Sequence, residues 1–255
     1  MVLAVAAILA PYISGDPVRF DPVNRLKPPS TAFWFGTDNL GRDVFARTIY
    51  GGRISLIVGV SVALVSSMMG LAIGLVSGFF RRADVVIMRI VDGMMAIPTI
   101  LLAIALMSLT RSSVENVVLV ISVAEIPRVV RLVRGLALSL RSRPFVDAAI
   151  VAGSGDLKIL VRHILPNTLT PVIVQATFIA ASAVIVEASL SFLGVGTPPE
   201  TPSWGGAIAD GRSYFQIAPW VVFLPGVFLA LFVLAINILG DGLRDSLDPR
   251  IARTL

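Results

Sequence analysis

The sequence predicts an all-α, polytopic membrane protein, and three observations carry that reading. Of 255 residues, 56% are hydrophobic and 15% are charged, against roughly a quarter charged in an ordinary soluble domain. The apolar residues stand in long unbroken runs, not in the periodic stripes of helices that cover a water-soluble core. Basic residues collect between those runs, where a membrane protein faces the cytoplasm. The bilayer is the solvent that fits this composition.

The run at 2–13 is twelve residues long, and at about 1.5 Å per residue it reaches roughly 18 Å into a hydrocarbon core about 30 Å thick. It is too short to cross. No basic residue precedes it and no small-residue cleavage site stands out, so it is expected to be a first membrane helix that has lost its start, by truncation or a misassigned start. Residues 54–79 are uncharged and long enough to span with tilt, and Arg81 and Arg82 close them as a cytoplasmic stop. Within this span Ser66, Gly70, Gly74 and Gly78 recur every four residues. That spacing sets four small residues on one helix face and admits a neighbour at backbone distance, although the glycine common in membrane helices would produce the same residues without a contact.

Residues 83–90 read as an interfacial turn of helix. A third span covers 91–109 with a kink at Pro98, a fourth 114–130, a fifth 169–190 and a sixth 220–239, with Trp220 as an interfacial anchor. About six transmembrane helices result, the first truncated. When the spans alternate, Arg81, Arg82, Arg128, Arg131, Arg134, Arg141, Arg143, Lys158, Arg162, Arg244, Arg250 and Arg253 share one side, while Arg111 and Arg212 occupy later loops on the other. Both termini are then cytoplasmic. The segment 14–53 departs from this rule, with six basic and four acidic residues on the outer side.

The net charge of +5 is explained by the cytoplasmic excess of Lys and Arg, so nucleic acid is not an expected partner. The absence of cysteine removes disulfides, thiolate metal sites and thiol catalysis together. No phosphate-binding loop occurs. The nearest phrase, Gly153-Ser154-Gly155-Asp156-Leu157-Lys158, lacks both the spacing and the hydroxyl after the lysine. His163 has no second histidine or cysteine with which to share a metal or activate a serine within the membrane. No metal site and no catalytic residue are expected. An acid within a span is costly, which marks Glu187 as a pathway residue or a buried packing group. Asn237 reads as interhelical glue and Asp92 lies near the cytoplasmic end of its helix.

The loop from Arg128 to Pro166 holds the most information. Pro144 suits a helix start, the alanines at 148, 149 and 152 keep a short helix thin, and Gly153 can end it. A second helix is expected from about Asp156, stopping before Pro166. Two short helices at a sharp angle, the first nearly bare, make a knob suited to a groove in another protein; a solvated amphipathic hairpin would share the pattern.

Asp147-Ala148-Ala149, three residues, Gly153, nine residues and then His163-Ile164-Leu165-Pro166 resembles the EAA motif of ABC importer permeases. Further phrases are similar to the dipeptide permease C branch, which handles peptides, nickel and related solutes: Gly36-Thr37-Asp38, Gly41-Arg42-Asp43, Pro166-Asn167, Glu187 to Gly194, Pro202-Ser203-Trp204-Gly205 and Gly240 to Asp245 with Asp248-Pro249-Arg250. The likeness covers the chain from about Phe33 onward. Asp147 replaces the motif's glutamate, keeping the charge on a shorter arm.

The resemblance implies a type I ABC importer permease fold with a cytoplasmic coupling helix, in a bacterial inner membrane. It divides the chain into a truncated helix and periplasmic loop at 1–53, a core at 54–240 with a coupling loop at 131–168 and a periplasmic loop at 191–219, and a cytoplasmic tail at 241–255. Implied partners are a homologous second permease, two ABC ATPase subunits, a periplasmic solute-binding protein and the lipid bilayer. ATP and magnesium belong to the ATPases, and this chain binds no cofactor. Asp147, Ala148, Ala149, Gly153, Ile164, Leu165 and Pro166 are the implied ATPase-coupling residues, and Glu187, Asn237 and Asp92 the pathway candidates. Within the branch, peptide, nickel, glutathione and opine share the pattern, and peptide is the expectation. An ATP-independent transporter or channel is the alternative; such proteins pair broken helices and buried ionisable groups in related halves, whereas Glu187 stands nearly alone.

Overall fold

The computed structural model describes Val5, Ala7 and residues 9–247. Of the expected helix at 2–13, residues 2–4, 6 and 8 lie outside the described residues, and Val5, Ala7 and the turn Ala10–Ile13 are helical. Arg250, Arg253 and the phrase at 248–250 lie outside them as well. Eight helices carry the rest: α1 (Val44–Phe79), α2 (Arg81–Met95), α3 (Thr99–Met107), α4 (Val114–Arg141), α5 (Pro144–Val151), α6 (Asp156–Phe192), α7 (Trp204–Gly211) and α8 (Trp220–Leu247). α1, α6 and α8 are each long and apolar enough to cross a membrane, as is the pair α2 and α3 taken together. α4 has the length, but Glu115, Glu125, Arg128 and Arg131 interrupt its apolar character.

The helices run past the apolar runs that announce them. α1 begins at Val44, not at 54, because Arg47 inside it is buried and matched by acids. α4 continues to Arg141, since Arg131 and Arg134 find partners on α2. The kink expected at Pro98 is a break: α2 and α3 meet at 90°.

Pro166, which by sequence lies beyond a helix end, does not stop the chain's helix. α6 instead passes through it. Its residues Leu160–Ile164 form a π turn, and the Leu165 N–H donates to the Leu160 carbonyl, one residue farther back than in an α-helix. This widening lets the ladder accommodate a residue with no N–H. Asn167 Nδ2 donates to the His163 carbonyl at 2.7 Å, adding a side-chain bond beside the proline.

The chain forms two compact units. The first holds residues up to Val62, Ala103–Ile121 and Ala180–Asn237. Trp204 anchors it, with its ring edge-on to Phe232 at 5.3 Å and its Nε1 donating to the Thr48 carbonyl at 2.8 Å. An ion cluster lies in the same unit, with Asp38, Arg42 and Arg47 buried and Asp210 exposed: Arg42 Nε donates to Asp38 at 2.6 Å, and Arg42 and Arg47 both reach Asp210, at 2.8 and 3.2 Å. Two of the six basic residues that break the charge rule are thus neutralised inside the fold.

The second unit holds Ala63–Leu102, Ser122–Ile179 and residues from Ile238 on. In it the small residues of α1 meet α4. Ser66 is fully buried. A Cβ at Gly74 would lie 2.7 Å from Val133 Cβ, one at Gly78 would lie 2.6 Å from Ala137 Cβ, and one at Gly70 would collide with Val129. Residues 129, 133 and 137 repeat every four as well, so the two faces interlock. Charges then bind α2 to α4: Arg134 donates to both oxygens of Asp84, at 2.5 and 2.7 Å, and Arg131 donates to Asp92 at 2.7 Å. Arg141 donates to the Phe79 carbonyl and lies over its ring at 5.2 Å.

Candidate functional site

The residues expected to couple to an ATPase lie together within the second unit. α5 starts on Pro144, whose missing N–H costs nothing in a first turn, and Asp147 adds a negative charge where the helix end is positive. Gly153 ends it with φ +80°. The Gly153 N–H donates to the Ile150 carbonyl at 2.9 Å and the Ser154 N–H to the Ala149 carbonyl at 3.0 Å, the paired bonds of a Schellman cap. α6 then begins at Asp156, and His163 lies with its ring 6.4 Å from that of Phe145.

Burial separates the motif residues into two groups. Val146, Ala149, Ile159 and Ile164 face inward. Asp147, Ala148, Gly153 and Pro166 are exposed, and Leu165 is intermediate. The same loop exposes the apolar side chains Phe145 and Ile150 of α5 and Leu157 of α6, with Val151 at 89% exposure. A loop that leaves four large apolar side chains in the open has an apolar surface to cover. The arginines that draw attention in the sequence lie on α4 and around its end, whereas α5 itself carries Asp147 as its one charge.

The other candidates are dispersed. Glu187 is fully buried in the first unit, where Ser191 Oγ donates to it at 2.8 Å within a hydroxyl group of Ser191, Thr197 and Ser203. Asn237 borders a shallow hollow with Ile185, Leu229, Val233 and Leu234. Asp92 is exposed and paired with Arg131. Glu125 is the residue that sequence reasoning missed. It is 1% exposed, with Arg128 Nη1 at 3.1 Å from its Oε2. The signal was present in the sequence as an acid inside the span 114–130 followed three residues later by an arginine. Among the described residues no group of three or more His, Asp or Glu side chains is arranged to hold a metal ion.

The family model described as "Binding-protein-dependent transport system inner membrane component" matches residues 43–253. The chain belongs to that family. It is 54% identical over 97% of its length, and 85% of the relative's, to a probable peptide ABC transporter permease protein of Sinorhizobium fredii. It is 43% identical to the dipeptide transport system permease protein DppC of Alkalihalophilus pseudofirmus and 42% identical to the glutathione transport system permease protein GsiD of Pectobacterium atrosepticum, in both cases over 96% of this chain and 81% of the relative. Its fold is similar to a chain of the MetNI methionine ABC transporter in an inward-facing conformation, with a TM-score of 0.65 at 18% identity, covering 79% of this chain and 96% of that one. The protein is thus a non-catalytic, inner-membrane permease subunit of an ABC importer, whose ATPase is a separate subunit and which works with a solute-binding protein.

Proposed function

We propose that this permease forms half of a translocation pathway for peptides, paired with a homologous permease above two ATPase subunits and below a periplasmic binding protein. The peptide and dipeptide systems named among its relatives support the solute. Both termini face the cytoplasm in this reading, as the distribution of arginines suggests. The ATPases supply ATP and magnesium chemistry, and this chain binds neither. It transmits work through α5.

The observation that carries the coupling assignment is the exposed apolar surface of α5, presented on a capped, nearly uncharged helix. Apolar side chains on a short rigid helix fit a groove in a partner. Asp147, Ala148, Ile150 and Val151 make the contact, while Ala149, Ile164 and the cap at Gly153 hold its shape. Leu165 and Pro166 set where α6 leaves the loop. Glu187 belongs to packing in this account, because its burial and hydroxyl partners leave it no opening. Asp92 holds α2 in place, and Asn237 remains a candidate for lining the pathway. The small-residue face from Ser66 to Gly78 is internal packing.

The chain contains no cysteine, so a single Ala148→Cys gives a background-free cross-linking probe. In the assembled importer it should cross-link to an ATPase subunit and change its yield when nucleotide binds. Cross-linking to no ATPase, with the complex intact, would refute the contact.

A further inference from the structure

The broken span encloses a space that the coupling account does not use. Pro98 cannot continue the α2 ladder, and the resulting bend opens a cavity of about 130 Å³ lined by Met94, Met95, Pro98, Thr99, Leu102 and Arg128. α4 places Arg128, Arg131 and Arg134 three residues apart along one side. Arg131 and Arg134 are taken up by Asp92 and Asp84 of α2, which fixes the wall of the cavity. Arg128 is different. Its ion pair is with Glu125 on its own helix, and its side chain is 46% exposed over a carboxylate that is 1% exposed.

A guanidinium has five N–H donors in a planar fork. Held from behind by one buried carboxylate, Arg128 keeps donors for a second anion on its open side. Thr99, at the first turn of α3, lines the same space, and a helix start favours negative charge as well. The remaining walls are apolar, formed by Met94, Met95, Ile97, Pro98, Leu102 and Ala124, and the two flexible methionines adapt to varied apolar groups. A fixed cation in an adaptable apolar setting suits a solute with a constant carboxylate and variable side chains.

We propose that this cavity is a station for the carboxylate of the transported solute, with Arg128 as its ligand and Glu125 as the residue that positions Arg128. The assignment rests on the peptide reading above, since every unmodified peptide carries a C-terminal carboxylate.

The test is uptake by the assembled importer in proteoliposomes, with its binding protein saturated beforehand with either dialanine or dialanine C-terminal amide. The binding protein is the same in every reaction, so its own preference cancels when variants are compared. Arg128→Gln should lower the ratio of acid to amide uptake about tenfold, through loss of a charge-assisted pair. Arg128→Lys, which keeps the charge and loses the fork, should lower it by less, and Glu125→Gln should lower it by releasing the guanidinium. Wild-type uptake of dialanine with an unchanged ratio in Arg128→Gln and Arg128→Lys overturns the station alone. Wild-type uptake of neither probe overturns the peptide reading and this assignment with it.

Discussion

At the scale of single residues, the small side chains of α1 have the clearest consequences. Gly74 and Gly78 sit against the Cβ atoms of Val133 and Ala137 closer than any side chain allows, and overpacked contacts of this kind typically cost about 1–3 kcal/mol. Gly74→Val is therefore expected to lower the thermal midpoint of the detergent-purified subunit, and a smaller residue opposite, Val133→Ala, should restore part of it; a lone Gly74→Val with unchanged stability would contradict the interlock. Gly153 is another case. It has open space around it but φ +80°, so Gly153→Ala should cost about 1 kcal/mol by conformation alone, measurable as a small fall in the same midpoint. Gly153→Pro removes the N–H that closes the cap on Ile150 and should cost more. The stripe was legible because small residues at a spacing of four leave a mark in the sequence. Glu125 was not singled out because one acid amid apolar residues reads as the edge of a span, and only its burial against Arg128 separates the two.

At the scale of elements, most helices were legible as apolar runs, and their extensions were not. α1 and α4 extend beyond those runs through arginines whose partners lie far along the chain: Asp210 for Arg47, and Asp84 and Asp92 for Arg134 and Arg131. Hydropathy registers the charge and not its partner. Pro166 misled for a related reason. A proline signals a helix end unless the preceding turn widens, and the π turn at Leu160–Ile164 is not written in any single residue. The pairing of α2 with α4 yields its own expectation. Arg134→Gln leaves the Asp84 carboxylate, which is 19% exposed, without its main partner, and breaking a partly buried pair by removing one member is more costly than losing an exposed one. Faster hydrogen exchange along α2 in that variant, with α8 unaffected, is the expected result; uniform exchange in both would mean that the pair does not hold α2.

At the scale of the whole molecule, the chain is a device for passing work to a solute, and its parts carry different shares of that task. Family membership and the non-catalytic role follow from the match over residues 43–253, and the motif from Asp147 to Pro166 made the family legible in the sequence. Which motif residues point outward was not legible, because Ala148 and Ala149 differ only in helical phase. Ala148 is exposed and Ala149 is buried, so the proposed contact falls to Ala148. In the proposed function, ATP hydrolysis in separate subunits drives transport through the outward face of α5. The most direct measurement is uptake and ATP hydrolysis together, in proteoliposomes holding the assembled importer with Ala148→Glu. The expected result is a membrane-inserted variant that loses solute uptake by at least about tenfold and no longer couples hydrolysis to the loaded binding protein. Wild-type uptake by that variant, or ion-driven uptake by this chain without any ATPase, would contradict the account.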